Sequence, residues 1–319
     1  MYQSDFLSAL AEQGEIAPGY PDGYFPHWEH NVYGGAMPER FLRMFLAGSG
    51  SELLCKACAK HSSSMLAYNF FHWVSEKASL TLFGTKFVDV AFEVQLPCLA
   101  TRSAKANLDI ALCGESGDFV LFLESKFTEF LPSDKRKFNP FRIRREYKNP
   151  NSYFPVGAGV CNGQQWKEVI ERYEVEGRDN KHFHEGIKQG ICHLIAIDRL
   201  RNDSATVTHL NESKTFTIPL KEGCKFAFAT VIFEPSIRFV EDHKAFDDYA
   251  KLFATFVANV KTWNTFFSDP KSERPGILTY GDIWTQSEGS MPRELRTWLD
   301  GRYMQFSASA GAIPDPNQL

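Results

Sequence analysis

The sequence predicts an α/β fold, and three observations over its 319 residues point there. Apolar and polar residues alternate through the middle of the chain, from Val88 to Val94 and from Leu108 to Leu112, which is the period of half-buried strands. Helical spacing of apolar residues precedes and follows that stretch. No internal repeat or sharp composition boundary divides the chain, so residues 1–319 are read as one domain with additions.

Composition narrows the function classes. With 43% hydrophobic residues and 28 Phe, the chain can bury a large core and is neither disordered nor fibrous. Lys+Arg 35 against Asp+Glu 39 gives a net charge of −4, so any site for a polyanion must be local. No apolar run is long enough to span a bilayer and no secretory start is visible, so a soluble cytoplasmic protein without a membrane partner is expected. Seven scattered cysteines then read as reduced thiols.

Taken in order, residues 1–37 are rich in Gly, Pro, Tyr and His and read as an irregular arm. Pro38 fits a helix start. Ser51 caps a short helical stretch through Glu52, Leu53 and Leu54, and Ser62-Ser63-Ser64 restarts a helix through Met65, Leu66, Asn69, Phe70 and Trp73. Three strands follow, over Val88–Val94, Leu108–Cys113 and Phe119–Phe127, the last two joined by Gly114-Glu115-Ser116-Gly117, whose glycines suit a tight turn. Residues 131–161 hold four prolines and a basic cluster and read as an insertion. Helical pattern returns from Gln164 to Leu200. Strands are expected at Val207–Leu210, Thr215–Leu220 and Phe226–Phe233, and a long helix at Phe246–Phe267. The small, polar tail 307–319 is expected to fray.

The hairpin places chemistry on one face. Pairing Cys113 with Asp118 sets Asp109 opposite Phe122. Alternation then puts Asp109, Glu124 and Lys126 together, with the two carboxylates diagonal neighbours about 7–8 Å apart at the backbone. Two carboxylates converging with no thiol or imidazole in the motif suit a hard cation, Mg²⁺ or Mn²⁺. A lysine beside that cation suits phosphodiester hydrolysis, where charge builds on phosphate oxygens. Glu93, on the preceding strand, is a further carboxylate that acts directly or through water. The bare Asp/Glu-x-Lys pattern occurs six times in the chain, so only its setting gives it meaning. Glu124-Ser125-Lys126 alone leaves an apolar strand that follows a turn and a strand bearing an Asp in phase. The competing reading, a solvated strand end, sits badly with the apolar run Phe119–Leu123.

Leu108-Asp109-Ile110 followed by Leu123-Glu124-Ser125-Lys126, downstream of a helix and of Glu93, resembles the PD-(D/E)xK nuclease superfamily of restriction-endonuclease-like fold. His61-Ser62-Ser63, Asn69-Phe70-Phe71, Phe92-Glu93 and Glu124-Ser125-Lys126-Phe127-Thr128-Glu129 resemble, more narrowly, a bacterial family of restriction endonucleases. The likeness covers roughly residues 50–200. It implies a central mixed β-sheet flanked by helices, Asp109 and Glu124 as metal ligands, the Ser125 carbonyl as another, and Lys126 as catalytic lysine. Leu108 stands where the superfamily has Pro. Members similar to RecB-type nucleases place a Gln on the helix after the catalytic strand. Gln189 is the candidate here, sharing a helix face with Glu185 and His193 by four-residue spacing.

The insertion supplies the local charge that the composition lacks. Lys135, Arg136, Lys137, Arg142, Arg144, Arg145 and Lys148 interleave with Phe138, Phe141 and Tyr147, a pattern suited to tracking phosphates and stacking bases; a solvated loop is the alternative. Cys55-x-x-Cys58-x-x-His61 lacks the second Cys/His pair of a zinc site. The expectation is a metal-dependent deoxyribonuclease, of restriction or defence type, acting on DNA; cutting both strands of a duplex would fit a homodimer, which no residue of the sequence demonstrates. A catalytically inactive nucleic-acid binder of the same fold, or a hydrolase of smaller phosphoesters working in a closed pocket, would use the same residues.

Overall fold

The computed structural model describes residues 4–13, 23–48, 53, 56–100, 105–131, 143, 145–153, 162–176, 186–202, 209–210 and 218–309. Its centre is a mixed six-stranded sheet of order β1-β2-β3-β4-β7-β8. The strands are β1 Leu80–Leu82, β2 Thr85–Pro97, β3 Lys105–Gly114, β4 Phe119–Lys126, β7 Lys225–Ile232 and β8 Ile277–Thr279; β5 His209–Leu210 and β6 Ile218–Pro219 form a separate pair. β1 to β4 run antiparallel, and β4, β7 and β8 run parallel. β4 thus lies where the sheet changes sense, buried by neighbours on both edges, which explains its continuous apolar run.

Helices cover both faces. α2 Glu39–Ala47 and α3 Ser63–Phe71 stack on one face through Phe41, Phe45 and Tyr68, which surround Phe92 of β2. α5 Gly186–Asn202 crosses the other face, backed by α4 Gly163–Glu176 and α6 Val240–Val260. α7 Tyr280–Gln286 and α8 Arg293–Arg302 close the chain. The buried side chains form one connected core. Among the described residues no helix is long and apolar enough to cross a membrane.

Four expectations change. The arm 1–37 contains a helix, α1 Asp5–Ala11. Ser4 accepts from Leu7 N–H, and the buried Asp242 at the start of α6 accepts from Phe6 N–H at 3.0 Å. Phe6 stacks on Phe233 and meets Phe127 edge-on, so this segment packs directly behind the end of β4. The hairpin register differs by two: Cys113 faces Val120 and Ile110 faces Leu123. Gly114 pairs with Phe87 and Glu115 N–H goes to Lys86, which draws the turn toward β2 and closes the ladder later. A shift of two preserves which face each side chain occupies. The long helix begins at Val240 and ends at Val260 rather than running from Phe246 to Phe267; Phe266 instead bridges to Phe228 beside β7. Finally, the tail is docked at its start: Ser307 is buried and bridges to Pro235, while Ala308 N–H bonds the Glu234 carbonyl. Residues 310–319 lie outside the described residues.

Candidate active site

The site forms where the β3–β4 ladder stops. Ile110↔Leu123 is its last pair. One step further, Asp109 lies opposite Glu124 by register, a direct neighbour instead of a diagonal one. In a continued ladder the Ser125 amide would bond the β3 backbone. It donates instead to Asp109 Oδ2 at 2.7 Å, so a side chain has taken the place of a carbonyl and the strands part. The Lys126 carbonyl is claimed by Phe233 N–H on the other edge. By strand alternation the Ser125 amide and carbonyl both face the gap toward Asp109.

Alternation also separates the three motif side chains. Glu124 and Lys126 turn to α5, while Ser125 turns to α3 and α7, where its hydroxyl donates to the Ser63 carbonyl (3.0 Å) and shares a hydrogen bond with Tyr280 (2.7 Å). Glu124 and Lys126 are 4% and 3% exposed, so this is a buried ion pair, which is costly unless fully satisfied. Lys126 Nζ donates to Glu124 Oε1 at 2.6 Å and to Gln189 Oε1 at 2.7 Å. Burial alone would lower the lysine pKa, but the charges of Glu124, Glu129 and Asp109 outweigh it and hold the ammonium well above its ordinary range.

The carboxylates around it differ. Burial, then the negative charges of Glu124 and Glu93, push the Asp109 carboxyl well above its usual range. Burial would likewise raise Glu129, yet Lys126, a hydrogen bond from Ser63 and the amides of Phe127 and Thr128 (2.7 and 2.9 Å) bring it below its usual value. Glu124 Oε2 is buried with no hydrogen-bond partner, and His193 Nδ1, also buried without one, stands 3.4 Å away.

These groups open on a cavity of about 490 Å³. Asp109, Glu124, Ser125, Lys126, Glu129 and Gln189 line it, together with Lys56, His61 and the first residues of α3. Gln189 sits beside the lysine, as the resemblance implied. Glu93 does not line the cavity. Its carboxylate accepts from Asn107 and lies against Gly48, where a Cβ would approach its Oε2 to 2.9 Å, and its charge acts on Asp109. Glu93 has φ of 53° inside a strand, a left-handed conformation that costs a non-glycine residue about 1–3 kcal/mol.

The residues present fit a cation. The unpartnered Glu124 Oε2 and the mutual repulsion of Asp109 and Glu124 would both be relieved by one, and the Ser125 carbonyl faces the same gap. Among the described residues no group of three or more His, Cys, Asp or Glu side chains converges on a metal position, so solvent or substrate oxygens would complete the shell.

Of the basic insertion, Lys135, Arg136, Lys137, Arg142 and Arg144 lie outside the described residues, as does Glu185. Arg145 is exposed. Lys148 is engaged by Glu174 of α4 at 2.9 Å, in a segment anchored by the buried Ile143, Tyr147 and Tyr153. Sequence reasoning assigned no role to Tyr280, 155 residues from Ser125, or to Glu129, whose signal was only its place in the quoted motif. His193 had a signal, the helix face it shares with Gln189. Compared with protein-family models, curated proteins and solved structures, the chain matches none.

Proposed function

We propose that this chain is a metal-dependent nuclease of restriction-endonuclease-like type that hydrolyses phosphodiester bonds of DNA. The observation that carries the reading is the meeting of Asp109, Glu124, Lys126 and Gln189 at one end of β4, on an open cavity. Asp109, Glu124 and the Ser125 carbonyl would hold Mg²⁺ or Mn²⁺, and the cation when bound supplies Lewis acidity and a lowered water pKa.

The chain's own residues do the rest. Lys126 stays charged, so it acts by neutralising charge that builds on the phosphate and not by taking a proton. Gln189 Oε1 accepts from that ammonium, which fixes the amide and turns its two N–H donors away from the lysine, into the cavity, where a phosphate oxygen can accept. Ser125, tied to Ser63 and Tyr280, holds the strand end against α3 and α7. A cavity of about 490 Å³ is also large enough for a small phosphoester, which supports a second reading, hydrolysis of such a substrate.

The test incubates the purified chain with supercoiled circular DNA, linear DNA and bis(p-nitrophenyl) phosphate, each with Mg²⁺, Mn²⁺ or EDTA. The nuclease reading expects DNA cleavage that EDTA abolishes, with circular DNA separating endo- from exonucleolytic cutting. Turnover of the small diester alone selects the second reading. No turnover of any substrate defeats both and leaves a nucleic-acid binder.

A further inference from the structure

Glu129 lies just past the end of β4, lines the cavity and is half-buried. Its side chain turns back on the chain. Oε2 accepts from the Phe127 and Thr128 amides at 2.7 and 2.9 Å, and the carboxylate also takes its own residue's amide and the Ser63 hydroxyl. Lys126 adds its positive charge. Successive backbone N–H groups aimed at one point form an anion-binding concavity, the device by which phosphate-binding loops hold their ligand. Here the concavity is filled by the chain's own carboxylate.

The concavity is fixed, while its occupant can move. Phe127 is buried against Phe6 and Phe233, Phe130 is buried against Phe246, and the Leu131 amide closes the turn on the Thr128 carbonyl at 3.0 Å. The Glu129 carboxylate hangs from this backbone on single bonds at the cavity wall. A carboxylate that only closed a turn would need the local amides alone. This one also draws a hydroxyl from α3 and the charge of Lys126, the group that meets the phosphate in the proposed reaction. A third carboxylate beside Asp109 and Glu124 repels an entering phosphate unless it gives up its place.

We propose that the amides of Phe127, Thr128 and Glu129, the Ser63 hydroxyl and the Lys126 ammonium are the seat of the substrate's phosphate, and that Glu129 is its stand-in, displaced when the diester enters. Phosphate and carboxylate oxygens accept from the same N–H and O–H donors, so the exchange leaves no donor unpaired. The inference rests on the phosphodiester reading of the site and goes beyond it in naming the donors that receive the phosphate and the side chain that must leave.

The test is calorimetric titration of the full chain with inorganic phosphate and with the dinucleoside monophosphate TpT, in EDTA so that no cation contributes and no diester is cut. Glu129→Ala should bind both at least about tenfold more tightly than the wild type, because the charge-assisted hydrogen bonds that hold the stand-in no longer compete. Adding Ser63→Ala to that variant should take back at least about fivefold, because a donor to the phosphate is lost. Should Glu129→Ala not fold, Glu129→Gln takes its place in both comparisons; it keeps the shape and drops the charge, and its gain should be at least about threefold. No gain on replacing Glu129 overturns the inference. So does a gain that Ser63→Ala leaves intact, since only the cavity's charge would then have changed, and so does a gain for inorganic phosphate without one for TpT, since the seat would not take a diester. None of these results touches the nuclease reading, which stands or falls on EDTA-sensitive cleavage of DNA by the wild type.

Discussion

Replacing Lys126 by methionine removes a buried ammonium and leaves its partners in place. Glu124 keeps its burial and loses the one side-chain hydrogen-bond donor it has among the described residues, and the Gln189 carbonyl oxygen loses one as well. Breaking a buried pair from one side costs about 3–5 kcal/mol. Unfolding entropy of about 2.1 cal/mol/K per residue turns that into a fall of about 4–7 °C in melting temperature for a chain of 319 residues. Lys126→Met combined with Glu124→Gln removes both charges, so it should recover a large part of the loss.

The pH dependence carries a definite sign. In the wild type the raised lysine pKa gives a contribution fully present below the ordinary 10.5 and lost only as pH rises beyond it, so it is flat from pH 5 to 8. The Asp109 pKa is also raised, so its share is present below the ordinary 3.8 and lost as pH rises through the folded value. Lys126 is the one side-chain charge that pulls that value down. Without it the carboxyl titrates at still higher pH, so the variant's deficit grows and never shrinks as pH rises. Urea denaturation across a pH series reads the effect. A variant within about 0.5 kcal/mol of wild type at pH 8, or a deficit that shrinks as pH rises, refutes the buried-charge reasoning. In cleavage assays the same substitution should lower the rate by about 10²–10³-fold.

Ser125→Ala strands the buried Tyr280 hydroxyl and should cost about 1–3 kcal/mol in urea denaturation. Tyr280→Phe should cost less, because Ser125 retains the Ser63 carbonyl; the reverse order would contradict the contacts seen. Neutralising Arg142, Arg144 and Arg145 together should flatten the dependence of log affinity for duplex DNA on log salt by about 2–3 units. Lys148→Gln should leave that slope within about one unit and lower stability instead, since Glu174 holds the amine. An unchanged slope in the triple variant removes the insertion from the DNA surface.

The three central strands and the shared face of Asp109, Glu124 and Lys126 were legible because strand alternation depends only on parity. A register error of two therefore cost nothing at the level of the face, although it misjudged how close the two carboxylates stand. Gln189 was reached through the resemblance, which implies a glutamine on the helix after the strand; its four-residue spacing marked only a shared polar face. What stayed hidden depends on distant parts of the chain. Tyr280 reaches Ser125 from the far side of the fold, and nothing local to Tyr280-Gly281-Asp282 marks it. α1 went unseen because Gly and Pro dominate residues 1–37 as a block, although Ser4 as a cap and Phe6 with Leu10 at four-residue spacing were present. Lys148 read as a phosphate contact because its partner, Glu174, belongs to a helix 26 residues on. His193 was read as one more polar position on a face, since a buried imidazole and an exposed one look alike in sequence.

The irregular features of this sheet cluster, and under the proposed function the clustering is accounted for by catalysis better than by binding alone. Glu93 adopts a left-handed backbone inside β2. On the adjacent strand Asp109 substitutes its side chain for a ladder carbonyl, and on the next strand Glu124 and Lys126 form a buried ion pair. Just beyond, Glu129 folds back to take the two amides that follow the strand end. Each departure costs stability that ordinary apolar packing would not, because strained backbone, interrupted ladders and buried charges are all unfavourable against well-packed alternatives. A surface that only grips a phosphate backbone needs exposed cations and none of these features. They become useful together when two carboxylates must be held close despite their repulsion and a lysine must remain charged while it meets an anion, which are the demands of hydrolysing a phosphodiester.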